Sequence, residues 1–290
     1  MRAARPEVSF EFFPPKSDDG FAGLLRTADA LAKYKPDFFS VTYGAGGSTR
    51  QGTFRTVETL RRHGHNAIPH LSWGEESSRQ ICDLLGRYQD LGVSRLVLIR
   101  GDVPSGAYAP THYASELVQL VHARFRDTFR TYVAAYAEMH PQAPGPSEDL
   151  RRLKQKLDAG ASAAITQYFY VLEAYRRLVL EARATGIVKP IVAGIMPITN
   201  YERLVRFSDS CGAEIPRWIR CRLTELADHD QALRDFGAQV VTDLCSRLVE
   251  EGAPGLHFYT LNRWRATARI LDGLALEMDR HGSSAKGAAT

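Results

Sequence analysis

Residues 66–102 read NAIPHLSWGEESSRQICDLLGRYQDLGVSRLVLIRGD, and they hold one complete strand–helix–strand unit. NAIPHLS and RLVLIRGD are short apolar runs that end in polar residues. Between them Ile81, Leu84, Leu85, Tyr88 and Leu91 recur at i, i+3, i+4, i+7 and i+10, while Arg79 and Asp83 fall on the opposite side. That spacing makes one apolar stripe of a helix able to cover a layer of strands. A single crossover helix between two neighbouring strands makes them parallel.

The same alternation extends in both directions. Strands are expected from Val8 (VSFEFF), Phe38 (FFSVTYG), Asn66, Arg95, Thr131 (TYVAAYA), Ala163 (AAITQYFY), Pro190 (PIVAGIMPI) and Leu256 (LHFYTLN). Phe21, Leu24, Leu25, Ala28 and Leu31 repeat the helical spacing, with Arg26 and Asp29 turned away. Successive strand starts lie 30, 28, 29, 36, 32, 27 and 66 residues apart, close to the roughly 31 of a (β/α)8 unit in all but the last gap. The fold class expected is therefore α/β, a single (β/α)8 TIM barrel with extra helices before the eighth strand. The long gap, Tyr201 to Gly255, has room for two or three helices, one running through Leu233, Phe236, Val240, Leu244 and Leu248. A doubly wound open sheet also alternates strands and helices. Even spacing and the lack of a G-x-G-x-x-G turn after the first strand favour the barrel. Residues 1–280 are read as one catalytic domain and 281–290 as a disordered tail.

The chain has 290 residues, 44% hydrophobic and 24% charged, which excludes a collagen-like or wholly disordered protein. Its 37 Lys plus Arg against 33 Asp plus Glu give +4 with no long basic run, so nucleic acid is not an expected partner. No apolar stretch approaches the roughly 20 residues of a membrane span, and no signal-peptide core follows the start, so a cytoplasmic protein without a membrane partner is expected. Cys82, Cys211, Cys221 and Cys245 form no C-x-x-C pair and are read as reduced structural thiols, with Cys221 in an Arg-rich stretch.

A barrel builds its active site at the C-terminal ends of its strands. Glu11, within FEFFPPK, is a carboxylate between aromatics, where burial favours the protonated form that suits a general acid; a structural pairing with a barrel Arg or Lys is the plain alternative. Strand two ends in Thr42-Tyr43 and the Gly-rich GAGGSTR, which suits close backbone approach to a ligand or a tight turn. His70 ends strand three and Arg100-Gly101-Asp102 strand four, with Arg100 and Asp102 open to a structural ion pair. After strand five come Tyr136 and His140, then a helix capped by Ser147 on which Asp149, Arg152 and Lys156 share one flank. That flank suits the phosphates and ribose of a nucleotide, or simply faces solvent. Gln167 is a polar amide among apolar neighbours, fit for a planar heterocycle or a core hydrogen bond. Arg263, after strand eight, has the reach for a substrate carboxylate. No His and carboxylate spacing reads as a metal site.

These fragments, in order from FEFFPPK at Phe10 through SVTYGAGGSTR, PHLS, RGD, AAYAEMHP, ITQYFY and GIMPIT to HFYTLNR ending at Arg263, resemble the 5,10-methylenetetrahydrofolate reductase family in its bacterial catalytic-domain form. The resemblance implies a barrel holding non-covalent FAD, with NADH or NADPH as co-substrate and a folate as substrate. It implies ping-pong hydride transfer, the same chemistry run as methyltetrahydrofolate oxidation, or a non-catalytic folate- or flavin-binding regulator. By similarity Glu11 falls on the general acid and Asp102 on the carboxylate that stabilises the iminium. Gln167, Arg203, Phe207 and Arg263 fall on substrate contacts. Thr42, Tyr43, Ala45, His70, Arg100, Gly101, Asp102, Ala114, Tyr136, His140, Asp149, Arg152 and Lys156 fall on flavin contacts. Relatives commonly differ at Ala137, Gln142, Ser72-Trp73, Arg152 and Gln155, and carry Gln where this chain has Arg203. A homo-oligomer is expected, with no regulatory domain.

Overall fold

The computed structural model describes residues 5–43, 49–74, 76–101 and 112–287, with the side chains of the last helix to residue 275. Ala45 and Asp102 lie outside the described residues. The elements follow in order as β1 (Glu7–Phe12), α1 (Asp18–Ala32), β2 (Phe38–Val41), α2 (Arg50–Arg62), β3 (Ala67–Ser72), α3 (Ser78–Asp90), β4 (Arg95–Ile99), α4 (Ala114–Phe125), β5 (Arg130–Ala135), α5 (Pro146–Asp158), β6 (Ala163–Tyr168), α6 (Leu172–Ala184), β7 (Ile191–Ile195), α7 (Tyr201–Cys211), α8 (Arg217–Glu225), α9 (Asp230–Glu250), β8 (Gly255–Tyr259) and α10 (Trp264–Gly287). Every strand begins within one residue of its expected start. The long gap holds three helices.

All eight strands are parallel and close into a barrel in sequence order. Closure comes from β8 on β1, in register from Glu7 against Gly255 to Glu11 against Tyr259. Two cores follow from the period of two in each strand. One set of side chains points outward beneath the helices, among them Phe10, Phe12, Phe39, Leu96 and Leu98, and Phe12 stacks on Phe39 at 5.3 Å. The alternate set fills the barrel: Phe38, Ile68, Val97, Tyr132, Ala163, Ile165 and Val192. Each fully buried phenyl ring contributes about 1.5–3 kcal/mol over its exposed state.

The barrel tightens between β6 and β7, where the register shifts between Ile165 and Tyr168. The Gly194 N–H donates to Thr166 Oγ1 at 2.9 Å, and a Cβ on Gly194 would lie 2.1 Å from the Thr166 carbonyl oxygen. Only glycine permits that approach. Among the described residues, no helix is long and apolar enough to cross a membrane.

One local expectation is corrected. α5 starts at Pro146 with Gly145 as its N-cap, so Ser147 lies inside the first turn and caps nothing. Proline is favoured at the first helical position because its fixed φ and missing N–H cost nothing there, and it moves the start forward.

Candidate active site

On β1 the alternation that sends Phe10 and Phe12 outward turns Ser9 and Glu11 inward. The aromatic setting expected for Glu11 is thus corrected, because its neighbours in sequence occupy the other face of the strand. Its neighbours in space are two imidazoles. Glu11 Oε2 lies 3.4 Å from His70 Nε2 on β3 and 3.5 Å from His257 Nε2 on β8. His257 Nδ1 in turn shares a 2.7 Å hydrogen bond with Ser9 Oγ. The backbone of the acid is also held, since the Thr260 hydroxyl donates to the Glu11 carbonyl at 2.7 Å.

Burial lowers the pKa of His70 to about 4, against an opposing pull from Glu11 and with a further lowering by His257. At neutral pH this imidazole is therefore uncharged. Glu11 thus faces an uncharged imidazole on its β3 side.

These groups form one end of a cavity of about 890 Å³. Thr42, Tyr43, Gln167 and Tyr259 share the barrel mouth with them, and the cavity continues past Arg100, Gly101, Tyr136 and His140 to Ala114 on α4 and Asp149, Arg152 and Lys156 on α5. Gly101 adopts φ +85°, where a Cβ would stand 3.1 Å from Ser72 Oγ. The charged flank expected on α5 does face this cavity. Lys156 Nζ donates to the Ala134 carbonyl at 2.5 Å, and its pKa is lowered to about 8 by burial, with Arg100 and Arg152 adding to the effect and Asp149 opposing it. Asp149 accepts from the His140 N–H at 3.0 Å, Arg100 donates to Gln142 Oε1 at 2.6 Å, and Arg152 donates to Glu148 at 2.9 Å. Burial, then Arg100, lowers the pKa of His140.

The donor set suits a dinucleotide. Three cations from β4 and α5 converge where a diphosphate would be neutralised. Thr42 Oγ1 and His70 Nε2 are buried without hydrogen-bond partners, which leaves polar atoms for a ligand to satisfy.

Three expected site residues stand apart. Arg203 and Phe207, on α7, line a separate depression of about 520 Å³ with Arg206, Ser210 and Leu261. Arg263 is exposed just beyond β8 and lines neither space. The depression and the cavity are neighbours, because Tyr259 lines one and Leu261 the other. Leu261 and Asn262 both take left-handed backbone, at φ 51° and 57°, and the Asn262 side chain clamps the backbone of Phe13 through bonds of 2.8 and 2.9 Å. Backbone held in this region is strained for residues other than glycine.

Ser9, His257 and Tyr259 were not singled out as site residues from sequence. Their signal is period-two polarity: Ser9 with Glu11 on β1, His257 with Tyr259 on β8. Glu138, beyond β5, lines neither space. Burial raises its pKa to about 7, against the 2.9 Å hydrogen bond its Oε2 accepts from the Glu214 N–H.

A model of the family described as methylenetetrahydrofolate reductase matches residues 1–275. The 5,10-methylenetetrahydrofolate reductase of Pectobacterium carotovorum subsp. carotovorum is 37% identical over 276 residues, covering 95% of this chain and 92% of its own. That of Escherichia coli strain K12 is 37% identical over 257 residues, covering 88% and 86%. A probable methylenetetrahydrofolate reductase (NADH) of Oryza sativa subsp. japonica is 34% identical over 288 residues, covering 94% of this chain and 48% of the plant protein. Among solved structures, an uncharacterized Clostridium thermocellum protein that binds two copies of 5-methyl-5,6,7,8-tetrahydrofolic acid superposes with a TM-score of 0.65 at 15% identity, covering 94% and 96% of the two chains. Dihydropteroate synthase from Stenotrophomonas maltophilia gives 0.53 at 12%, covering 97% and 95%. At those identities the likeness is one of fold.

Proposed function

This chain belongs to the methylenetetrahydrofolate reductase family, and from that premise we propose that it reduces 5,10-methylenetetrahydrofolate to 5-methyltetrahydrofolate with NADH or NADPH through non-covalently bound FAD. The observation that carries the reading is one cavity with a buried carboxyl and an amide at the barrel mouth and a cationic arm along α5. Arg100, Arg152 and Lys156 neutralise the cofactor's diphosphate, His140 and Asp149 shape the loop beside it, and Thr42, Tyr43, Ala45, His70, Gly101, Ala114 and Tyr136 line its path. Bound there, FAD would supply hydride transfer between reduced nicotinamide and the folate, with the two substrates using the site in turn and ping-pong kinetics as the result.

Gln167 holds the pterin by its amide, and Phe207, Arg203 and Arg263 contact the rest of the folate. Glu11 gives its proton to N10 as the bond from N10 to the bridging carbon breaks, which leaves the N5 iminium that hydride converts to the methyl group. Asp102 supplies negative charge to that cation. The uncharged His70 adds no opposing charge at this stage. The proposal extends to a cytoplasmic homo-oligomer whose residues 1–280 form one catalytic domain, and light scattering of the purified protein tests the assembly.

Purified protein should be yellow, bleach anaerobically with reduced nicotinamide, and regain colour with methylenetetrahydrofolate. Glu11→Gln should spare the nicotinamide half-reaction and slow the folate half-reaction by about 10²–10⁴-fold. Equal loss in both half-reactions would remove Glu11 from its role.

A further inference from the structure

The loop between β5 and α5 is fixed on two sides. Toward the cavity, the His140 N–H donates to Asp149 at 3.0 Å and Gln142 Oε1 accepts from Arg100 at 2.6 Å, which ties the loop to the charged arm. On its other side it meets the end of α7. Glu138 Oε2 accepts from the Glu214 N–H at 2.9 Å. Gly212, the left-handed C-cap of α7 at φ 74°, lies so close to the loop that a Cβ there would stand 3.0 Å from Pro141 Cγ. Of these two contacts with the end of α7, only that of Glu138 carries a titratable group. Its carboxyl is badly placed for a charge. Oε1 is buried with no hydrogen-bond partner among the described residues, and an unpaired buried oxygen costs most when it is ionised. The Glu214 carboxylate repels that charge and Arg177 on α6 opposes the repulsion; Tyr168 on β6 and, beyond it, Cys211 on α7 are the other titratable groups on this side. Burial outweighs them and raises the pKa to about 7. A protonated carboxyl stays in place, whereas an ionised one gains by turning out to water.

We propose that Glu138 is a positioning residue which, while protonated, latches the β5–α5 loop to the turn after α7, and that its ionisation frees the loop and loosens the grip of Arg100, His140 and Asp149 on the cofactor. Glu138 lines neither the cavity nor the α7 depression, so it acts through the loop alone. The cofactor part rests on the flavin reading above, and the latch itself does not. Linkage gives the sign. The latched carboxyl titrates near 7 and a released one near its ordinary 4.5, so the latch is fully held below about 4.5 and is lost as pH rises through about 7.

The test is hydrogen–deuterium exchange of the holoenzyme, followed in peptides spanning 138–142 and 212–216 and corrected for the intrinsic pH dependence of exchange, with flavin affinity measured alongside by fluorescence. Between pH 6 and 8 the protection of the Glu214 amide and the affinity for flavin should each fall about tenfold, the change for one proton held only by the latched form. Glu138→Gln keeps the acceptor without the charge, so protection at Glu214 should stay level and the flavin curve should lose that tenfold step. Lys156, with its pKa near 8, weakens flavin binding in both proteins and drops out of the comparison. Glu214→Gln, at an exposed position, keeps the backbone donor but removes the repelling carboxylate, and should move the midpoint of the fall to lower pH; it decides the matter alone if the first variant does not fold. Protection that follows pH equally in the parent and in Glu138→Gln, or a midpoint that Glu214→Gln leaves in place, would overturn the latch. A latch that titrates as expected while flavin affinity ignores Glu138 would overturn its coupling to the cofactor. Purified protein that binds no flavin would overturn the flavin reading, and exchange at Glu214 would still decide the latch.

Discussion

Acid should destabilise the parent protein more steeply than a His70→Gln variant. His70 is buried beside Glu11 and His257, and its pKa is lowered from 6.5 to about 4, chiefly by burial. In the unfolded chain the same imidazole takes a proton as pH falls through about 6.5, whereas the folded protein refuses it until about 4. Between those values the unfolded state binds more protons, so stability rises with pH and is lost as acid is added. A difference of about 2.5 units at 1.36 kcal/mol each makes the loss about 3 kcal/mol by pH 4. Glutamine fills a similar volume and does not titrate in this range. The assay is chemical denaturation of both proteins at intervals from pH 7.5 to 4, comparing slopes and setting aside the constant offset the substitution introduces. Parallel curves would refute the reasoning, since the titration of His70 would then contribute nothing.

Other substitutions probe the same frame. Gly194→Ala forces a Cβ against the Thr166 carbonyl and should destabilise the barrel by about 3 kcal/mol or more, read as a drop in thermal midpoint. Lys156→Gln removes a cation from the α5 arm and should raise the flavin dissociation constant about tenfold, seen by fluorescence of released flavin. Ser9→Ala strips His257 Nδ1 of its partner and should cost about 1–3 kcal/mol of stability; it should also change the pH profile of the folate half-reaction more than that of the nicotinamide half-reaction.

The barrel was legible because each unit repeats two independent signals, an apolar run ending in polar residues and a helical stripe after it. The cationic arm was legible for a related reason, since Asp149, Arg152 and Lys156 lie within one helix whose phase fixes their common flank. What escaped was set by contacts distant in sequence or by details finer than the periodicity. Phe10 and Phe12 adjoin Glu11 in the chain yet occupy the opposite face of β1. His257 was read as part of a strand, and nothing near it in sequence points to Ser9 or Glu11. At α5 a general preference for Ser at the cap gave way to the proline one residue earlier. Arg203 and Phe207, grouped with the site by resemblance, line a depression of their own on α7.

The closing register between β1 and β8 also governs when this protein can become competent during synthesis. Ser9 and His257 are separated by 248 positions. A chain still on the ribosome before β8 emerges has an open edge along β1 and an acid without one of its two imidazoles. Such distant pairing is slow to form, because loop closure precedes any gain from contact. Until it forms, the exposed edge of β1 is a surface for wrong pairing. The proton-handling group and the last seam of the fold are therefore completed together, and a nascent chain that lacks the seam also lacks the finished chemistry.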